Sequence, residues 1–255
     1  MQSNVMSDRL EAHFGPSTKS MSVRQTRRGW CQELIGCEAP DEFKWFDTTD
    51  NRSEQFGISL EDSDCCLRVC CPTFHPFTMT LKEINSNSEI MKLERPMTCP
   101  AGPCKCCCLQ EMTFSSQGQT LGKIEEKCYI CVPRMLIVNS QGFPTYKVHP
   151  PTCCAGMCVY PCAEGNPCCG AGCCKLPFHI FPADQLDTDN GAAHIGKIVK
   201  VPKSLRTEIF TDAEAYDIIF PEDATVEQKA LIAGSSVFID SNYFENQDNT
   251  HENIL

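Results

Sequence analysis

The residues of this chain with the most chemistry to offer are its cysteines, 21 in 255 residues. They are clustered: Cys65, Cys66, Cys70 and Cys71; then Cys99, Cys104, Cys106, Cys107 and Cys108; then a run from Cys153 to Cys174, with Cys128 and Cys131 as a separate CxxC pair. Thiols grouped this way can pair, bind metal, exchange electrons or carry acyl chains. Disulfides are not expected. The opening MQSNVMSDRLEAHFGPSTKS has no apolar leader run, and an odd count leaves one thiol over in any intramolecular scheme. A reducing location leaves the thiols free, metal-bound or acylated. Zinc would draw on Cys153, Cys154, Cys158, Cys162, Cys168, Cys169, Cys173 and Cys174. Their doublets and irregular gaps match no ribbon or finger spacing. Cys128 and Cys131 lack the βαβ context of a redox pair. Acylation suits exposed cysteine clusters near a membrane. One acyl chain holds weakly and two or more hold firmly, a multiplicity that Cys104, Cys106, Cys107 and Cys108 supply.

Charge points the same way. The formal net charge of −11 argues against general nucleic-acid binding and against docking to anionic lipid by charge alone. A membrane location then needs a greasy attachment. No nucleophile, base and orienter stand in a recognisable pattern and no glycine-rich phosphate loop is present, so bond-making catalysis is not expected.

Positioning elements follow from the hydrophobic pattern. Residues 1–42 read as a polar, mobile tail, 43–245 as the folded domain and 246–255 as a second polar tail. Within the domain FGISLEDS, PFTMTLKEI, EIMKLERP, LQEMTFSS, TLGKIEEK, RMLIVNS, TYKVHP, FHIFPAD and HIGKIVKVP alternate as strands. Turn sequences such as NSNSE, SQGQ and DTDNG separate them, which predicts an antiparallel sandwich or barrel. ATVEQKALIAGSSVFIDSNYF predicts a helix with Thr225 as N-cap and Gln228 completing a capping box. Its centre, with Ala230, Leu231, Ile232, Val237, Phe238 and Ile239, is apolar or small on every side and too short to cross a bilayer. A helix buried inside a β-barrel is the expectation.

Taken in order, EDSDCCLRVCCPTFHPFTMTL, EIMKLERPMTC with the cysteine run and CCLQEM, HIGKIVK, FTDAEAYDIIFPED and KALIAGSSVFIDSNYFE resemble the phospholipid scramblase family. The resemblance implies a twelve-stranded antiparallel barrel, similar to the tubby and LURP folds, around a hydrophobic C-terminal helix. It also implies palmitoylation, with Cys104, Cys107 and Cys108 at matching positions and Cys106 as an extra candidate. Three features depart from the family pattern: the altered cysteine run, the lengthened 153–174 loop and a divergent segment ahead of FGISLEDS. The last leaves barrel closure at the N-terminal edge open.

DAEAYDIIFPED, 212–223, is the candidate calcium loop, with Asp212, Glu214, Tyr216, the Ile218 carbonyl and Asp223 as ligands. The alternative is a strand with solvated acidic ends that leads into the helix cap. Lys197, Lys200 and Lys203 align with a basic region that the family uses for nuclear import; the alternative is a solvated strand edge. The resemblance implies calcium-activated, ATP-independent, bidirectional movement of phospholipids at the cytoplasmic face of the plasma membrane. Membrane phospholipids are the expected partners, with self-association or signalling proteins in addition. The rival is a lipid-anchored binding module that moves no lipid and enters the nucleus or cytosol when not acylated.

Overall fold

The computed structural model describes residues 2–26, 40–70, 75–98, 109–129, 132–153, 158–159, 175–185, 193–201 and 215–244. All nine segments marked by alternation are strands: β3 (Glu54–Asp62), β4 (Phe77–Glu83), β5 (Glu89–Arg95), β6 (Glu111–Ser116), β7 (Gln119–Glu126), β8 (Met135–Asn139), β9 (Pro144–His149), β12 (Leu176–Pro182) and β13 (Gly196–Val201). Three more complete a closed barrel: β1 (Ser20–Thr26), β2 (Glu42–Asp47) and β14 (Ala215–Ile219). Around the ring the order is β1-β14-β13-β12-β9-β8-β7-β6-β5-β4-β3-β2, each neighbour antiparallel. A small ladder, β10 (Thr152–Cys153) with β11 (Cys158–Val159), stands apart from it.

Closure corrects the N-terminal boundary. Residues 20–26, expected in a tail, form β1, which pairs with β2 on one side and β14 on the other. The N-terminal edge is therefore complete. Ahead of it α1 (Gln2–Phe14) buries Leu10 and Phe14 in the core. Register shifts at Trp45/Phe46, Leu81/Lys82, Phe114/Ser115 and Ile137/Val138 add the local twist that lets a sheet curl into a ring.

Inward side chains of the strands, among them Met79, Leu81, Leu93, Phe114, Ile137 and Ile180, form one core with the helix α3 (Val226–Tyr243). Trp45 is fully buried and its indole N–H donates to Ser59 Oγ at 2.9 Å, so the one polar atom of a large ring is satisfied. α3 begins as its sequence predicts: Gln228 N–H donates to Thr225 Oγ1 (3.3 Å) and Thr225 N–H donates to Gln228 Oε1 (2.9 Å). From Lys229 to Ser241 every residue is buried, which explains a sequence apolar or small all round. Gly234 permits close approach to β6, since a Cβ there would lie 2.3 Å from Phe114 Cε1. Eighteen residues make α3 about 27 Å long. Among the described residues no helix is long and apolar enough to cross a membrane.

Candidate functional site

Because direction alternates around the ring, β1, β3, β5, β7, β9 and β13 all end at the same pole. The connections that leave that pole span 27–41, 63–76, 96–110, 127–134, 150–175 and 202–214. All 21 cysteines fall in these segments. The turns at the opposite pole, 48–53, 84–88, 117–118, 140–143, 183–195 and 220–225, contain none. The cysteine-bearing connections, remote from one another in sequence, thus all start and end at the same pole of the barrel, a relation that spacing along the chain does not reveal.

A collar of buried side-chain hydrogen bonds supports this thiol pole. Where β3 leads into α2 (Cys65–Cys70), Glu61 Oε1 lies 2.9 Å from His75 Nε2 and also accepts from Ser63 Oγ, while Asp41 N–H donates to Glu61 Oε2 at 3.1 Å. Burial alone would raise the Glu61 pKa, but the hydrogen bonds from His75, Ser63 and Asp41 outweigh it and hold the carboxyl below its ordinary range. Arg68 Nη1 donates to Ser63 O (2.8 Å) and Ser63 Oγ (2.6 Å). At the base of the β5–β6 connection Thr98 Oγ1 donates to Gln110 Oε1 (2.5 Å), and Gln110 N–H donates to Glu126 Oε2 (3.0 Å).

The C-terminal end of α3 is fixed to the same collar. Tyr216 O–H donates to Asp240 Oδ1 (2.5 Å), and Tyr243 O–H donates to Glu126 Oε1 (2.6 Å). Burial, reinforced by the charge of Glu126, pushes the Tyr243 hydroxyl well above its ordinary pKa. At the other end of the helix the Lys229 ammonium donates to the carbonyls of Gly15 (2.9 Å) and Thr18 (2.7 Å), and burial lowers its pKa. Asp240, a charge that argues against a membrane span, instead serves as a hydrogen-bond acceptor within the barrel.

The sequence-predicted residues separate clearly. Cys104, Cys106, Cys107 and Cys108 lie outside the described residues, in the segment that joins β5 to β6. Of the candidate zinc ligands, Cys153 and Cys158 pair through their backbones in the β10–β11 ladder and the others lie outside the described residues. Cys65 corrects the expectation of unpaired thiols: it is disulfide-bonded. Cys66, Cys70 and Cys128 are free and exposed.

The twelve-residue calcium loop does not form as one loop. Its middle is β14, whose ends are about 14 Å apart. Asp212 and Glu214 lie outside the described residues, and Asp223 follows β14 in the turn that leads into α3. Tyr216 and Ile218 point into the core at 0% and 1% exposure. The alternative reading, a strand running into the helix cap, describes residues 215–225. The basic region is corrected as well. Lys200 is buried, its ammonium 3.7 Å from the centre of the Phe244 ring, and β13 sits between β12 and β14 rather than at an edge. Lys197 is half-buried on the same strand, and Lys203 lies outside the described residues.

A closed antiparallel barrel that encloses an apolar C-terminal helix, its cysteine-bearing connections all leaving one pole, defines the class of protein. The scramblase family model matches residues 17–246, and the chain belongs to that family. Similar proteins include human phospholipid scramblase 1, 33% identical over 189 residues (74% of this chain and 52% of the relative). Mouse phospholipid scramblase 1 is 29% identical over 209 residues (81% and 56%). Bovine phospholipid scramblase 2 is 29% identical over 214 residues (83% and 64%). The chain therefore spans between half and two-thirds of the length of these relatives. No solved structure gives a significant match.

Proposed function

We propose that this chain moves phospholipids between the leaflets of a membrane, in both directions and without ATP, while acyl chains on the thiol pole hold it at the cytoplasmic surface. That every cysteine-bearing connection leaves the barrel at one pole, the pole where the apolar helix ends, is the observation that carries this reading. Acyl groups on Cys104, Cys106, Cys107 and Cys108 would orient that pole, and α3 with it, toward the bilayer. Membership of the family, and relatives that bear the name phospholipid scramblase, support the activity itself. Calcium control would rest on Asp212 and Glu214, which precede β14 in sequence; Asp223 belongs to the turn that leads into α3. Lipid moves down its existing gradient, so the protein supplies a lower barrier and no bond chemistry.

A second reading, a lipid-anchored binding module, is favoured by one observation: α3 fills the barrel interior, so the barrel as it stands offers no lumen for a headgroup. Reconstitution decides between the two. Full-length protein in liposomes with a fluorescent lipid and external dithionite should quench inner-leaflet label faster with calcium than without. Equal, slow quenching at every calcium level leaves the binding module.

A further inference from the structure

Two free, exposed thiols, Cys66 and Cys70, share the helix α2. With about 3.6 residues per turn they stand one turn apart on one face. The same rotation carries Arg68 to the far side, where it is 8% exposed and donates to Ser63 O and Ser63 Oγ. Cys65 and Leu67 are half-buried on the flanks. α2 is therefore a short two-sided helix, seated on the collar by its arginine and turned outward by its thiols.

Its start is pinned. Cys66 N–H (2.8 Å) and Leu67 N–H (3.2 Å) donate to Asp64 Oδ1, and Arg68 N–H donates to Asp64 O at 3.0 Å. Behind it the buried Glu61 and His75, 2.9 Å apart, join the two ends of the same connection. Its place at the pole is equally defined. Phe77, just after this connection, stands opposite Arg95, just before the 96–110 connection, and Pro76 and Pro96 line one groove of about 470 Å³. The two connections spring from neighbouring strands.

Two uses of a thiol pair fit poorly here. Side chains at i and i+4 of a helix hold their Cβ atoms about 5–6 Å apart, beyond the roughly 3.5–4.5 Å that a disulfide spans. Among the described residues no group of three or more histidine, cysteine or acidic side chains is placed to hold a metal ion. We propose that Cys66 and Cys70 form a second acylation site, each taking a long-chain acyl group once Cys104, Cys106, Cys107 and Cys108 have brought the pole to a bilayer. The donor is a long-chain acyl thioester held at the membrane. The cysteine thiolate attacks its carbonyl carbon, the bond from that carbon to the donor sulfur breaks, and the released thiol takes up the proton that the cysteine gave up. Because the donor is concentrated at the membrane, transfer to α2 follows the first attachment and does not replace it. Chains on one connection leave the barrel free to pivot, whereas chains on two neighbouring connections fix which side of the pole faces lipid. The assignment rests on the membrane reading above and adds to it the means of orientation.

Acyl exchange on the full chain, isolated from the membrane fraction of cells, tests it. Free thiols are blocked with N-ethylmaleimide, thioesters are cleaved with hydroxylamine, and each thiol so released takes a mass tag. Cys66→Ser/Cys70→Ser should lose two tags relative to the wild type, keep those on the 104–108 cluster, and stay in the membrane fraction with an unchanged thermal melt. Trypsin cuts after Arg68 and so separates the two positions, which places each tag on its own peptide. Tags on the cluster with none on Cys66 and Cys70, or an unchanged tag count in the serine variant, overturn the assignment and leave the anchor standing. No hydroxylamine-sensitive tag on any cysteine overturns the anchor as well.

Discussion

At one pole of the barrel α1 lies across the opening. Arg9 donates to Glu89 O (3.3 Å), His13 stacks on Phe56 and stands 3.5 Å from Glu83, and Lys229 ties the start of α3 to the α1–β1 turn. The turns there are mostly short and polar, and Gln117 and Gly118, both with positive φ, make the tightest of them. At the other pole the connections are longer and bear all the thiols, and tyrosines and carboxylates there hold the end of the same helix. One pole closes the molecule and the other equips it. The contrast teaches that side-chain chemistry and chain connectivity are distributed independently of the core they share.

The most damaging test of that division is to remove the shared core. Phe238, fully buried on α3, belongs to neither set of loops. Phe238→Ala should destabilise the protein by about 3–5 kcal/mol in urea unfolding, as a large cavity in a packed interior does. A loss under about 1 kcal/mol would mean that α3 is not the common support of both poles.

Next comes the collar. Tyr243→Phe removes the donor to Glu126 Oε1 and should lower stability at neutral pH by about 1–3 kcal/mol. The pH dependence has a definite sign. An unfolded Tyr243 ionises near 10.0, whereas the folded one, raised well above that value, keeps its proton. Above pH 10 the native state binds more protons than the unfolded state, so stability falls as pH rises. The variant lacks this loss, and the gap between the two proteins should narrow through the alkaline range. A constant gap would show that Tyr243 is not held neutral by the collar. Lys229, at the other pole, works oppositely: its lowered pKa makes folding more favourable as pH climbs toward 10.5.

The smallest effect on stability is expected at the thiols themselves. Replacing Cys104, Cys106, Cys107 and Cys108 together by Ala should change unfolding free energy by no more than about 0.5 kcal/mol, the usual size for substitutions away from a packed core. In cells the same variant should move from the membrane fraction to the soluble one. Unchanged stability with lost attachment sharpens the division between poles; a large loss of stability would make that cluster part of the architecture.

Much of this was legible in the residues. Alternation located the strands whose two faces differ in polarity, such as PFTMTLKEI, and the capping box marked the start of α3 to the residue. β1 was missed because SMSVRQT turns only a few small or apolar side chains inward and pairs through its backbone, which leaves little trace in composition. β14 was hidden by its acidic neighbours: Asp212, Glu214 and Asp223 suggested an ion-binding loop, although AYDII between them carries the alternation of a half-buried strand. Lys200 misled for a related reason, since a lysine whose ammonium lies over the Phe244 and Tyr216 rings looks like any other basic residue until the neighbouring rings are known. The convergence of the cysteines lay beyond pattern reading altogether. It depends on which strands run parallel to one another around the ring, a property of the topology and not of any window of sequence.

The pairing of Ser20 with Ile219 has a consequence for how the molecule is made. The first strand must wait for the last before the ring can shut, and the helix that fills the interior is synthesised later still. During most of translation the nascent chain is a curled sheet with two open edges and an unfilled concave face, the kind of intermediate that is prone to aggregate. Contacts of such long sequence separation also slow folding. Loss of the final thirty or so residues, from about 226 onward, would take α3 away and leave a ring without its filling. Such a chain should need chaperones throughout and reach no stable end state, whatever its N-terminal part contains.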